Sequence, residues 1–142
     1  MGRRDTHHQA VRRALVKDGW QITHDPFRLT FAGTVVSTDL GAQRPIDAPD
    51  GQSIAVEIIA VEVKDFDNQQ MLSEFEKALG QFHLYRSLLK RYEPERVLYL
   101  AVRKMVWETF FQKFLVDYVV ADQEIRFLIF DETTEEITQW IK

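Results

Sequence analysis

Between Ile54 and Lys64 the chain reads Ile-Ala-Val-Glu-Ile-Ile-Ala-Val-Glu-Val-Lys, an apolar, β-branched run that fits a buried strand and ends in two charges. In a strand successive side chains alternate faces, so Glu62 and Lys64 point one way and Val61 and Val63 the other. A carboxylate and an ammonium then share one strand end. Upstream, Val35-Val-Ser-Thr-Asp39-Leu predicts a second strand finishing in a carboxylate, and Asp47-Ala-Pro-Asp-Gly51 supplies turn residues between the two. Paired as a hairpin, these strands bring Asp39 within metal-sharing distance of Glu62.

Glu57 competes for the same role, because Ile54-Ala-Val-Glu57-Ile is nearly repeated as Ile59-Ala-Val-Glu62-Val. Their odd separation places them on opposite faces of an unbroken strand. Only Glu62 has a lysine two residues on, so Glu57 takes the site only where a bulge re-registers the strand. A strand from Ser53 to Lys64 is long by ordinary standards, and a bend or bulge is expected within Ile58 to Ala60.

A chain of 142 residues with 45% hydrophobic content is long enough for one well-buried core and short for two, which predicts a single domain over 1–142. There are no cysteines, so disulfides and thiolate zinc sites are excluded. Apolar runs such as Val97-Leu-Tyr-Leu-Ala-Val102 fall far below membrane-spanning length, and Met1-Gly-Arg-Arg-Asp-Thr-His-His is no secretory signal. The expectation is a soluble, cytoplasmic protein with no membrane association, and with homo-oligomerisation left open. Net charge is -4, with 12 basic and 12 acidic groups in residues 1–92 against 6 and 10 in 93–142. Such a chain lacks the broad basic face of sequence-independent nucleic-acid binding, so any DNA contact must be local, metal-assisted or shared with a partner.

Thr6-His-His-Gln9 has capping-box spacing and predicts a helix over 5–18, with Val11, Ala14 and Leu15 on one face, His8 looking inward from the turn before, and Gly19 as terminator. Trp20 to His24 alternates as a strand. Arg28 to Phe31 and Val35 to Leu40 suggest a hairpin turning at Gly33, and Gly41 releases the second strand from its register. From Gln70 to Lys90 the period is helical through Leu72, Phe75, Leu79, Phe82 and Leu89, with Gln81 and Tyr85 stacked four apart and Gly80 open to a neighbouring backbone. Arg96 to Val102 then predicts a buried strand, Val106 to Val120 a helix, Ile125 to Phe130 a strand, and Ile137 to Ile141 a strand or short helix. This order implies an α/β sandwich in which helices cover both faces of a mixed sheet.

Cleaving a phosphodiester at neutral pH needs a hard divalent cation, an activated water and a positive group near the developing charge. Asp39 and Glu62 are the oxygen ligands that Mg²⁺ prefers, with Mn²⁺ an alternative. Lys64 can orient or deprotonate the water and offset charge on phosphorus, and the uncharged Gln81 can hold the water or the lysine. A lone Glu-x-Lys also describes an ordinary exposed ion pair worth under about 1 kcal/mol, so the weight rests on its context. His7 and His8 lack the spacing of a histidine metal clamp, and Trp20, Trp107 and Trp140 are too scattered to form a stacking platform. No Gly-rich phosphate loop or nucleophile elbow is present.

A strand-borne Asp39, a turn, Glu62-Val-Lys64, then Gln81 and Tyr85 on the following helix is an arrangement that resembles the PD-(D/E)xK nuclease superfamily, its Gln-x-x-x-Tyr step being similar to that of the RecB-like branch. A closer resemblance runs through Ala14-Leu-Val-Lys-Asp-Gly-Trp20-Gln-Ile-Thr-His-Asp-Pro26, Asp39-Leu-Gly-Ala, Ile59-Ala-Val-Glu62-Val-Lys64-Asp-Phe66, Ala78-Leu-Gly-Gln-Phe82 with Tyr85, and Arg96 to Val102. By these the chain resembles the XisH family, the fdxN element excision controlling factors. The resemblance implies a restriction-endonuclease-like α/β fold and a part in programmed excision of a DNA element, with DNA, an XisI-like companion and a site-specific recombinase as partners. It implies Asp39, Glu62, Lys64 and Gln81 as the site, with Asp39 and Glu62 binding Mg²⁺. A second reading is a catalytically inactive nuclease fold that regulates a recombinase through its partner. The interval from Asp39 to Glu62 exceeds the family's usual spacing by one Ile-Ala-Val-Glu-like unit. Gln9 stands where relatives often carry an acid.

Overall fold

Alternation along one central strand sorts the core into two layers. In β5 (Ile54–Val63), Ile59, Val61 and Val63 join one buried cluster, while Ala60 belongs to a second on the other face of the sheet. Helix α1 (Arg3–Lys17) covers the first face through Ala10, Val11 and Leu15. The second is covered by α2 (Met71–Tyr92) through Phe75, Ala78, Phe82 and Leu89. The computed structural model describes residues 3–47, 50–52, 54–66 and 69–142, so part of the expected turn over 47–51 and the expected strand start at Ser53 lie outside the described residues.

The remaining strands are β1 (Gln21–His24), β2 (Phe27–Phe31), β3 (Thr34–Thr38), β4 (Leu40–Asp47), β6 (Arg96–Arg103), β7 (Phe127–Asp131) and β8 (Glu136–Ile141). Six form one sheet in the order β1-β4-β5-β6-β7-β8, while β2 and β3 make a separate hairpin. Pairing is parallel at β5-β6 and β6-β7 and antiparallel at β1-β4, β4-β5 and β7-β8. This is the expected α/β sandwich with a mixed sheet. Each parallel neighbour is reached through helix, as parallel pairing requires. No helix among the described residues is long and apolar enough to cross a membrane.

Several expectations are corrected. Helix α1 begins at Arg3, so Thr6 lies inside the helix rather than at its cap; a capping-box spacing does not stop a helix whose preceding residues continue it. At its other end Gly19, at φ 93°, terminates it as expected. There the Trp20 N–H donates to Leu15 O at 3.0 Å and the Gly19 N–H to Val16 O at 3.1 Å, the bonds of a Schellman turn.

Gly41 does not release a strand but sits within β4, opposite Ala60. A Cβ there would lie 3.0 Å from the His24 ring and 3.2 Å from that of Phe27, so glycine is what lets those rings close over the sheet. Nor does β5 bulge at Ile58 to Ala60, because its register is continuous from Asp47↔Ile54 to Leu40↔Val61. Both copies of the repeated unit lie in the one unbroken strand, so the alternation stays intact and Glu57 and Glu62 face opposite ways.

Gly80 faces open space, with nothing within 4 Å of a built Cβ. The helix expected over 106–120 is broken into α3 (Lys104–Thr109), a 3-10 turn at Phe110–Gln112 and α4 (Phe114–Asp122). A continuous helix turns adjacent side chains about 100° apart. The break lets both Phe110 and Phe111 reach the core, at 5% and 1% exposure, and leaves Phe114 outside at 85%.

Candidate active site

Asp39 occupies the one-residue step between two sheets. Thr38 still pairs with Phe27 in the side hairpin, and Leu40 already pairs with Val61 in the main sheet. The strand associated with Asp39 therefore starts at Leu40, where the sequence suggests one ending. Continuing the β4-β5 register sets Asp39 opposite Glu62. Its carboxylate Oδ2 accepts the Val63 N–H at 2.7 Å, which fixes the side chain against the end of β5.

Glu62 is 5% exposed, while Val61 and Val63 pack on the α1 face. Beyond Val63 the strand ends, although the Lys64 N–H still donates to Ala101 O at 2.9 Å. The Lys64 ammonium donates to the Gln81 side-chain oxygen on α2. Asp39, Glu62, Lys64 and Gln81 all line one cleft of about 590 Å³, joined by Tyr85, Glu74 and Lys77. The structure thus brings the four expected residues together. Glu57 is elsewhere: it pairs in register with Arg44, whose guanidinium approaches its carboxylate at 3.4 Å.

Tyr85 reports on the electrostatics. Burial first, then the charges of Glu62 and of Asp39, raise its phenol above the ordinary value, since ionising it would add a third negative charge beside two acids. Mg²⁺ commonly takes one or two carboxylates and completes its shell with water and substrate phosphate. Two anionic oxygen donors at the bottom of an open cleft fit that habit. Among the described residues no three His, Cys, Asp or Glu side chains gather as a ready-made cage, so a cation here would rely on Asp39 and Glu62.

On α1 the two histidines part. His8 bonds Asp25 at 2.7 Å and its other nitrogen lies 3.8 Å from Asp39, at the rim of the site. His7 is the buried one, at 6% exposure, with its ring between Asp65 at 2.6 Å and Glu132 at 3.1 Å. Its signal was available: His7 stands three residues before Ala10 and four before Val11, in phase with the buried stripe. Glu74 and Lys77 were legible in the same way, seven and four residues before Gln81 on one face of α2.

The XisH protein family model matches residues 1–138. Among solved structures, the chain is similar to an XisH family protein from Nostoc punctiforme PCC 73102 at 44% identity and a TM-score of 0.82, over 97% of this chain and 100% of that one. It is also similar to an fdxN element excision controlling factor protein from Anabaena variabilis, at 41% identity and a TM-score of 0.81, over 97% of this chain and 99% of that one. No curated protein sequence matches significantly.

Proposed function

The chain belongs to the XisH family, and from that premise we propose that it is a divalent-cation-dependent DNA endonuclease of the PD-(D/E)xK type, serving the excision of a DNA element. The role in excision is carried over from the name of the Anabaena variabilis relative. The observation that carries the chemistry is that Asp39, Glu62, Lys64 and Gln81 line a single cleft, with Asp39 pinned to the end of β5 and Lys64 bonded to Gln81. An XisI-like companion and a site-specific recombinase are the partners this reading takes.

Bound Mg²⁺ or Mn²⁺ supplies Lewis-acid charge to the phosphate and lowers the cost of making hydroxide from water. Asp39 and Glu62 would hold it. Lys64, aimed by Gln81, orients the water and offsets the charge that gathers on the phosphate oxygens as the new phosphorus–oxygen bond forms and the bond to the sugar oxygen breaks. The proton shed by the water passes to solvent, and the departing oxygen takes one back. With Mg²⁺ or Mn²⁺ and, where required, the companion protein, strand cleavage of plasmid DNA is expected. Lys64→Ala lowers it by about 10² or more, the usual loss when one donor to a developing charge is removed. Undiminished cleavage by that variant overturns the assignment.

A different observation favours a second reading, the inactive module that regulates a recombinase through a partner. Phe114, Leu115 and Tyr118 on α4 are 85%, 66% and 59% exposed, and apolar side chains left outside in this number suit a protein surface awaiting contact. Melting curves separate the two. A cation that binds the native state raises the midpoint with concentration, whereas the inactive module shows no such shift and still binds its partner.

A further inference from the structure

The three residues after β5 are held more tightly than a loop needs. Phe66 has φ 50°, the left-handed region that an aromatic residue rarely occupies and keeps only where its surroundings over-determine it. Its ring is 2% exposed, 6.0 Å from that of Phe110 and 5.4 Å from that of Phe111.

The residue between Phe66 and Lys64 is Asp65, and both its polar ends are taken. Its carboxylate bonds His7 at 2.6 Å, and its backbone carbonyl accepts from Arg103 Nη2 at 2.9 Å. The circuit closes through Glu132, which lies 3.1 Å from the other nitrogen of His7 and 3.6 Å from Arg103 Nη1. Helix α1 and the end of β6 thus meet on the residue next to the lysine, and the turn after β7 braces both of them through Glu132. His7, Arg103 and Glu132 line a neighbouring cavity and not the cleft of the two acids. Whatever they do for the cleft, they do through the chain.

We propose that His7 and Arg103 are positioning residues: by clamping Asp65 they fix the Lys64 backbone, and so the place of its ammonium beside Gln81 in the cleft. This rests on the reading of Lys64 given above. A guanidinium suits the task because one group bonds two partners in fixed geometry, which a lysine ammonium does not reproduce. Errors of about 1 Å in a reacting group cost about 10² in rate, so loosening the clamp appears in kcat while KM and cation affinity stay within about two-fold.

The test uses His7→Gln, which keeps a donor and an acceptor, together with His7→Ala and Arg103→Lys, each checked for folding by its melting curve. The Lys64 Nζ and Cε resonances, assigned by comparison with Lys64→Ala, are recorded without cation, and kcat is measured with Mn²⁺. The expected result is that the Lys64 signals of His7→Ala and Arg103→Lys move toward those of a free lysine. Their kcat falls about ten- to hundred-fold, the range typical of outer-shell supports, while His7→Gln recovers part of both. Variants that melt lower but keep the wild-type Lys64 signal and kcat overturn the proposal and leave the network a stabilising one. If the wild type cleaves nothing yet the Lys64 signal collapses, the clamp stands and the nuclease reading fails.

Discussion

Tyr85 is where the two acids can be weighed one residue at a time. Its phenol is raised by burial, by Glu62 and by Asp39, in that order, and the ordinary value is 10.0. A raised folded-state value means that the unfolded chain ionises first. Stability is therefore insensitive to this group below about pH 10 and is lost as pH rises from there through the folded-state value. Glu62→Gln is expected to bring the Tyr85 titration down further than Asp39→Asn, read from the phenolate absorbance after subtracting Tyr85→Phe. An unmoved titration in Glu62→Gln means the carboxylate does not face the phenol. At this scale alternation alone separates Glu62 from Glu57, because period two is a property of any extended chain. His7 was harder to see. Adjacent histidines leave a choice that only the phase of the whole buried stripe decides, and its partners Asp65 and Glu132 are 58 and 125 residues away.

Among the elements, β4 is the one the sequence hides. Gly41 and Pro45 are poor strand formers, yet the segment lies between β1 and β5 in the sheet. Pro45 is tolerated because β1 pairs only as far as Gln43, so the missing N–H falls where no third strand asks for it. What places the segment is its pairing with a long apolar partner, a tertiary effect that local propensity cannot carry. The break between α3 and α4 is similar, since Phe110 and Phe111 are an unremarkable pair until both must reach one core. The end of α1 shows the opposite case. Gly19 combines φ 93° with empty space around a built Cβ, so only the backbone preference is at stake. Gly19→Ala is expected to cost about 1 kcal/mol, visible as a lower denaturant midpoint at unchanged slope. A neutral result means the Schellman turn relaxes freely.

For the molecule as a whole, charge decides how a nucleic acid can approach. The protein carries -4 overall, and its cleft is lined by Asp39, Glu62, Asp65 and Glu74 against Lys64 and Lys77, four negative groups to two positive. A phosphate entering such a cleft meets net repulsion. With the overall charge also negative, there is little long-range non-specific attraction to overcome it. One divalent cation on Asp39 and Glu62 would cancel the local excess, which makes cation and DNA binding mutually dependent: each raises the affinity for the other by the same factor. Lys77, one turn before Gln81 and exposed, is then placed to meet a phosphate next to the one being cleaved. The expected outcome is that a short labelled DNA is retained in the presence of Ca²⁺ and released by chelator at the same ionic strength. Lys77→Ala weakens retention several-fold while leaving cation affinity measured without DNA unchanged. Equal retention with and without cation would place the DNA on some other surface of the protein, away from the two acids.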